Sequence, residues 1–219
     1  MQKYLVMVEG KADAPFLRDY FIFLIKDLSV LMDKSNQKEL LNEDLFIKII
    51  VAGGKNISAK HKTKMREHLD ADHKIVLIQD ADSPEKDPND GGKELREKYF
   101  GKVKEELNID FETFLFPNNE SDGDLETLLL EIINQDKFDK SFDCYKKYAD
   151  CSGAISIIGN KGLLEGKRVL FNYFRTYYGI DKAKEEERVF ESIYWDFTSE
   201  HLDTFKDFIN SILLKKKVG

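Results

Sequence analysis

Asp80-Ala81-Asp82 places two carboxylates two residues apart, directly after the apolar run Ile75-Val76-Leu77-Ile78. At strand spacing both side chains leave the same face. Held about 4 Å apart, two carboxylates repel by roughly 4 kcal/mol at an effective dielectric of about 20, so such a pair shares a proton or a cation. Oxygen-only ligands favour Mg²⁺ or Mn²⁺. The same residues also read as a turn, because Asp side chains initiate turns and Asp82-Ser83-Pro84 is a good turn sequence in its own right. On this stretch alone the two readings balance.

Other residues of this kind follow apolar runs. Glu9-Gly10-Lys11 ends the run Tyr4–Val8, and Asp13 stands four residues beyond Glu9. Gly53-Gly54 ends the run 45–51; paired glycines there serve a tight turn or let the backbone approach a phosphate. Lys55, Lys60, Lys62, Lys64 and Arg66 come next with His61 and no acid before Glu67, which is either a solvated helix face or a phosphate-tracking surface. Asp124-Leu125-Glu126 opens the apolar stretch Leu128–Ile133. Ser121, Asp122 or Asp124 can cap that helix, and the helix dipole favours acids in its first turn. Capping does not require Glu126, which is a candidate to line the same crevice as Glu9.

The elements that must position these residues alternate. Four-residue apolar runs rich in β-branched residues read as strands buried on both faces, the mark of a parallel sheet. The pattern predicts strands over 4–8, 45–51, 75–78 and 111–116, the last closed by Pro117. A helix is expected from Asp13 through Leu31, with Pro15 in its first turn, then a polar loop over 34–42. A basic segment follows, then a loop over 87–92 long enough to be mobile and a charged helix over 93–107. Strand and helix in alternation call for a mostly parallel sheet with helices on both faces, and ligands of such sheets sit beyond the carboxyl ends of the strands. From Lys140 onward the chain turns to aromatic and basic helices, with a closing helix through Leu202, Phe205, Phe208, Ile209 and Leu213 and a basic tail at Lys215–Lys217.

The 219 residues, 42% of them hydrophobic and 12% aromatic, suffice for a sizeable core. No apolar run is long enough to span a bilayer, and the chain enters a strand pattern without a signal-peptide flank, so no membrane association and a cytoplasmic location are expected. Cys144 and Cys151 have neither metal-ligand spacing nor a disulfide framework and read as reduced thiols. A net charge of −7 argues against bulk electrostatic binding of nucleic acid. It leaves room for an enzyme whose carboxylates are covered by divalent ions and whose cations are clustered.

A strand ending in Val8-Glu9-Gly10, a glycine ending the next strand and a later strand ending in Asp80-x-Asp82 together resemble the Toprim domain of topoisomerases, primases and several nucleases. The likeness covers roughly residues 1–135, with 136–219 as a helical extension packed on that α/β unit. It implies a Rossmann-like, three-layer α/β/α fold, Glu9 as the acid-base residue, and Mg²⁺ on Asp80 and Asp82. The Glu9-x-x-x-Asp13 spacing and the Glu126 helix entry look similar to the nucleases of the overcoming-lysogenization-defect type, and the chain is most like small stand-alone Toprim-like proteins of unknown function. The resemblance implies metal ligands at Glu9, Asp13, Asp80, Asp82 and Glu126, and a two-metal hydrolysis of phosphodiesters. Lys11, Gly53, Gly54, Lys55 and Lys60 are candidates for contacting phosphate, and Lys161 or Lys167 is the candidate for the late lysine of that nuclease type.

Ser83-Pro84 departs from the primase pattern, and the chain lacks zinc-ribbon cysteines. A haloacid-dehalogenase phosphatase carries its Asp pair on the first strand, whereas this pair falls on the third of the expected strands. A glycosyltransferase Asp-x-Asp leaves Glu9-Gly10 unexplained. The competing reading is a non-catalytic Toprim-like module that binds metal, nucleotide or nucleic acid and works with a protein partner.

Overall fold

Tyr4, Val6 and Val8 face one way along the first strand, Leu5 and Met7 face the other, and all five are buried. A strand covered on both sides belongs in the middle of a sheet. The computed structural model, which describes residues 1–85, 87–155, 157 and 159–213, places it there. The strands are β1 (Gln2–Val8), β2 (Ser29–Lys34), β3 (Gln37–Leu41), β4 (Leu45–Val51), β5 (His73–Asp80) and β6 (Glu112–Phe116), in the sheet order β2-β3-β4-β1-β5-β6. β1 runs parallel to both β4 and β5, and β5 parallel to β6. Val8 lies opposite Val51 and Ile78, and Asp80 opposite Phe116, so the four parallel strands end nearly level.

Helices cover both faces. On one, α1 (Asp13–Leu24), α4 (Leu125–Ile132), α7 (Gly166–Tyr178) and α8 (Asp203–Leu213) bury Phe16, Tyr20, Leu128, Phe174 and Phe205 against Tyr4, Val6, Val8, Val76 and Phe114. On the other, α2 (Ala59–Asp70) and α3 (Lys93–Leu107) bury Met65, Phe100 and Val103 against Leu5, Met7 and Leu77. The result is the expected three-layer α/β/α arrangement with a mostly parallel sheet. The C-terminal segment shares the first core. Phe205 stacks on Tyr20 with centroids 5.4 Å apart, and burying one such ring contributes about 1.5–3 kcal/mol. Between α4 and α7 run α5 (Gln135–Gly153) and the short α6 (Gly159–Leu163). Among the described residues no helix is long and apolar enough to cross a membrane. The basic tail at 215–217 lies outside the described residues.

Two expectations are corrected. The first helix stops at Leu24 rather than running to Leu31: Ile25 is extended and Asp27 takes a left-handed φ of 58°, which turns the chain into β2. The supposed polar loop over 34–42 is instead the turn and second strand of a hairpin, with β3 antiparallel to both β2 and β4. Its polarity misleads because one of its inward positions is held by ions. Lys38 is 1% exposed and pairs with Asp33, which also accepts from Arg18 of α1. The 87–92 loop is tied back on itself, Gly91 N–H donating to Asp87 O and Gly92 N–H to Ala81 O, both at 2.8 Å.

Candidate carboxylate site

The level strand ends form the floor of the site. Glu9 follows β1, Asp80 ends β5, Asp13 opens α1 and Glu126 lies in the first turn of α4. Asp80 Oδ1 accepts from the Leu125 N–H at 2.9 Å, fixing the start of α4 against the end of β5. Asp13 Oδ2 accepts from the Gly10 N–H at 2.8 Å. Glu9 Oε2 is buried and accepts no hydrogen bond from the described residues.

Asp80 and Asp13 feel the neighbouring carboxylates most. Burial raises the Asp80 pKa well above the carboxylate range, and Asp13, Glu9 and Glu126 raise it further. Burial pushes Asp13 up to about 7; its bond from Gly10 opposes the rise, and Glu126 and Glu9 add to it. Glu9 is raised by burial and by Asp82, and Glu126 by burial against the pull of Lys167. Lys167 Nζ stands 3.7 Å from Glu126 Oε1, so of the two late lysines it is Lys167 that reaches the cluster. Lys161 lies on α6, exposed and outside it.

Asp82 does not join Asp80 in the way strand alternation implies. β5 ends at Asp80, Asp82 adopts φ 61°, and its backbone pairs with Gly123, donating N–H to O at 2.6 Å and accepting at 2.8 Å. Its Oδ2 accepts from Lys55 Nζ at 3.1 Å, and Lys55 also pairs with Asp87. Asp82 thus faces Lys55 at the edge of the cluster while Asp80 is sunk in it.

Gly53 and Gly54 have φ of 77° and 152°, and a Cβ at either would meet nothing within 4 Å among the described residues, so conformation rather than close packing calls for glycine there. With Glu9, Lys11, Lys60 and His61 they line a cavity of about 520 Å³. Lys11 also lies 3.6 Å from Glu186. Ser58 caps α2 beside this cavity, accepting from the His61 N–H.

Two buried cations flank the site with little in the sequence to mark them. Arg96 is 1% exposed, donates to Gln79 Oε1 at 2.6 Å and to the Lys55 carbonyl, and lies over the Tyr99 ring at 4.8 Å. A Gln inside an apolar strand run is the one signal that pointed to it. Arg188 is 3% exposed, lies 4.8 Å over the Phe174 ring and leaves Nε and Nη1 without partners among the described residues. It is close enough to feel Asp13 and Glu126, and nothing in its acidic sequence neighbourhood marks it.

Oxygen-only donors, an orphaned Glu9 Oε2 and mutual repulsion fit a hard divalent cation by chemistry. As they stand the side chains are not drawn together: among the described residues no three His, Cys, Asp or Glu side chains form a group that could hold a metal ion.

A three-layer α/β/α fold with acidic residues at its parallel strand ends defines the class of molecule. The chain belongs to the family described as a protein of unknown function (DUF3226), whose profile matches residues 3–214. It is similar in fold to the crystal structure of hypothetical protein PH0156 from Pyrococcus horikoshii OT3, with TM-score 0.54 and 13% identity over 97% of this chain and 95% of that one. No curated protein matches it.

Proposed function

We propose that the chain is a divalent-cation-dependent phosphodiester hydrolase acting on nucleic acid, a nuclease-like Toprim protein that uses a two-metal mechanism in the cytoplasm. The observation that supports this is that Glu9, Asp13, Asp80 and Glu126, from separate strand ends and helix starts, lie near enough for the other three to raise the pKa of Asp80 and for Glu126 and Glu9 to raise that of Asp13. Placing such charges together destabilises a fold, so the arrangement calls for a ligand that relieves it. Those four residues would hold Mg²⁺ or Mn²⁺, with Asp82 at the margin. The cation would supply Lewis acidity and neutralise charge at the phosphoryl oxygens. Glu9, its pKa raised by burial, exchanges a proton at Oε2. Lys167 offsets the charge of Glu126, and Lys55, Lys60, Lys11 and the backbone of Gly53 and Gly54 hold the phosphates of the strand.

The absence of a ready three-donor group among the described residues favours a second reading, a non-catalytic module that binds nucleotide or nucleic acid beside a protein partner. Calorimetric titration of Mg²⁺ and Mn²⁺ into the wild type and into Asp80→Ala with Asp82→Ala, beside a nuclease assay, separates the two. The hydrolase predicts cation binding lost in the double variant and cleavage that requires the cation. Nucleic-acid binding with no turnover at any cation concentration supports the module instead.

A further inference from the structure

On the far side of Lys167 from the carboxylates, α5 and α7 enclose an open cleft of about 700 Å³. Its character differs from the rest of this acidic chain. Lys140, Arg168 and Arg175 line it, no carboxylate does among the described residues, and none of the three has an ion-pair partner there. Tyr145 and Tyr148 stack along one wall with centroids 6.0 Å apart, and Tyr145 is anchored by donating its hydroxyl to Leu163 O at 2.8 Å. Tyr148 is 59% exposed and Phe171 on the opposite helix 40% exposed. A core stripe would bury those rings; here they stay open beside unpaired guanidinium groups.

We infer that this cleft binds single-stranded nucleic acid, a base stacking on Tyr148 or Phe171 while Arg168 and Arg175 hold the flanking phosphates. Every base has a π-face, so aromatic platforms with cations between them take strands without reading their sequence. A duplex keeps its bases stacked on one another and has no free face to offer these rings. Charge complementarity selects a polyanion: the net charge of the chain is −7, yet every charged side chain lining the cleft, among the described residues, is basic. Lys167 lines the cleft and touches Glu126, so a strand lying in the cleft leads into the carboxylate site. That last step rests on the hydrolase reading; the cleft itself does not.

The test is fluorescence anisotropy of a labelled single strand of about 12 nucleotides, in EDTA, with wild type and with Arg168→Ala plus Arg175→Ala. All substituted side chains are exposed, and an unchanged circular dichroism spectrum and Tm serve as the folding control. The double variant is expected to bind at least about tenfold more weakly, with a salt slope shallower by about 1.4, about 0.7 for each lost phosphate contact. Tyr148→Ala is expected to lose about fivefold or more without changing the slope. Equal binding by the double variant, equal or tighter binding of the matching duplex, or equal competition by a free mononucleotide overturns the proposal. Binding in EDTA without cleavage in Mg²⁺ removes the hydrolase and leaves the cleft. Cleavage by a double variant whose affinity is unchanged removes the cleft and leaves the hydrolase.

Discussion

The carboxylate of Asp80 accepts the backbone N–H of Leu125 at 2.9 Å across 45 residues of sequence. One bond thereby sets the end of β5 and the start of α4, and with it Glu126, in a fixed relation. The N-terminal end of a helix also favours a negative charge, which partly compensates Asp80 for its burial.

Asp80→Asn keeps an acceptor for Leu125 and removes the charge. Its Tm in EDTA is expected to equal or exceed that of the wild type, while the rise on adding Mn²⁺ disappears. At a cation concentration about 100 times Kd the wild type gains about 2.7 kcal/mol. Asp80→Ala also strands the Leu125 N–H, at a cost of about 1–3 kcal/mol. Thermal scans of the three proteins with and without Mn²⁺ decide it, and an undiminished Mn²⁺ effect in Asp80→Asn would remove Asp80 from the cation site.

Asp13 binds its proton more tightly in the folded chain, with a pKa pushed up to about 7, than at the unfolded value of 3.8. Its contribution to stability is therefore full below the unfolded pKa and is lost as the pH rises through about 7. Asp80, raised in the same sense, adds to this slope. In EDTA the Tm should fall between about pH 4 and about pH 7, and Asp13→Asn should flatten the fall. For a chain of this size each kcal/mol relieved is about 2–4 °C. A slope identical in Asp13→Asn and wild type would show that Asp13 does not titrate there.

Arg96 ties Gln79 of β5 to the carbonyl of Lys55, so it holds the loop that carries Lys55 toward Asp82. Arg96→Met leaves the buried Gln79 Oε1 and the part-buried Lys55 carbonyl without this donor and is expected to cost about 1–3 kcal/mol in urea unfolding. Arg96→Lys restores little, since an ammonium lacks the planar face that lies over Tyr99. Phosphate-dependent binding should weaken in both variants beyond what their stability explains. A purely structural Arg96 would leave that affinity unchanged.

The strands buried on both faces were legible because each leaves an unbroken apolar run, as in Leu5-Val6-Met7-Val8 and Ile75-Val76-Leu77-Ile78. The β2–β3 hairpin was not, because Lys38 fills an inward position and is neutralised by Asp33, a partner that only the folded chain supplies. Glu9 and Asp80 could be found because a polar residue ending an apolar run sits at a strand terminus. Asp82 shows the limit of that reasoning: alternation holds only while the strand lasts, and a left-handed residue two positions later points elsewhere. Arg188 is the extreme case, since a buried arginine and an exposed one are written with the same letter.

Trp195 is the chain's single tryptophan and is fully buried, its ring centroid 4.9 Å from that of Phe190 and 5.2 Å from that of Phe174. Its indole N–H donates to the Tyr178 hydroxyl at 3.2 Å, and its backbone bridges to Ile133 just after α4. The indole therefore stands at the joint between the C-terminal segment and the helix that carries Glu126. Its emission colour is an optical gauge of that joint: a red shift that precedes the loss of backbone ellipticity would record the segment lifting from the sheet while the sheet stays folded.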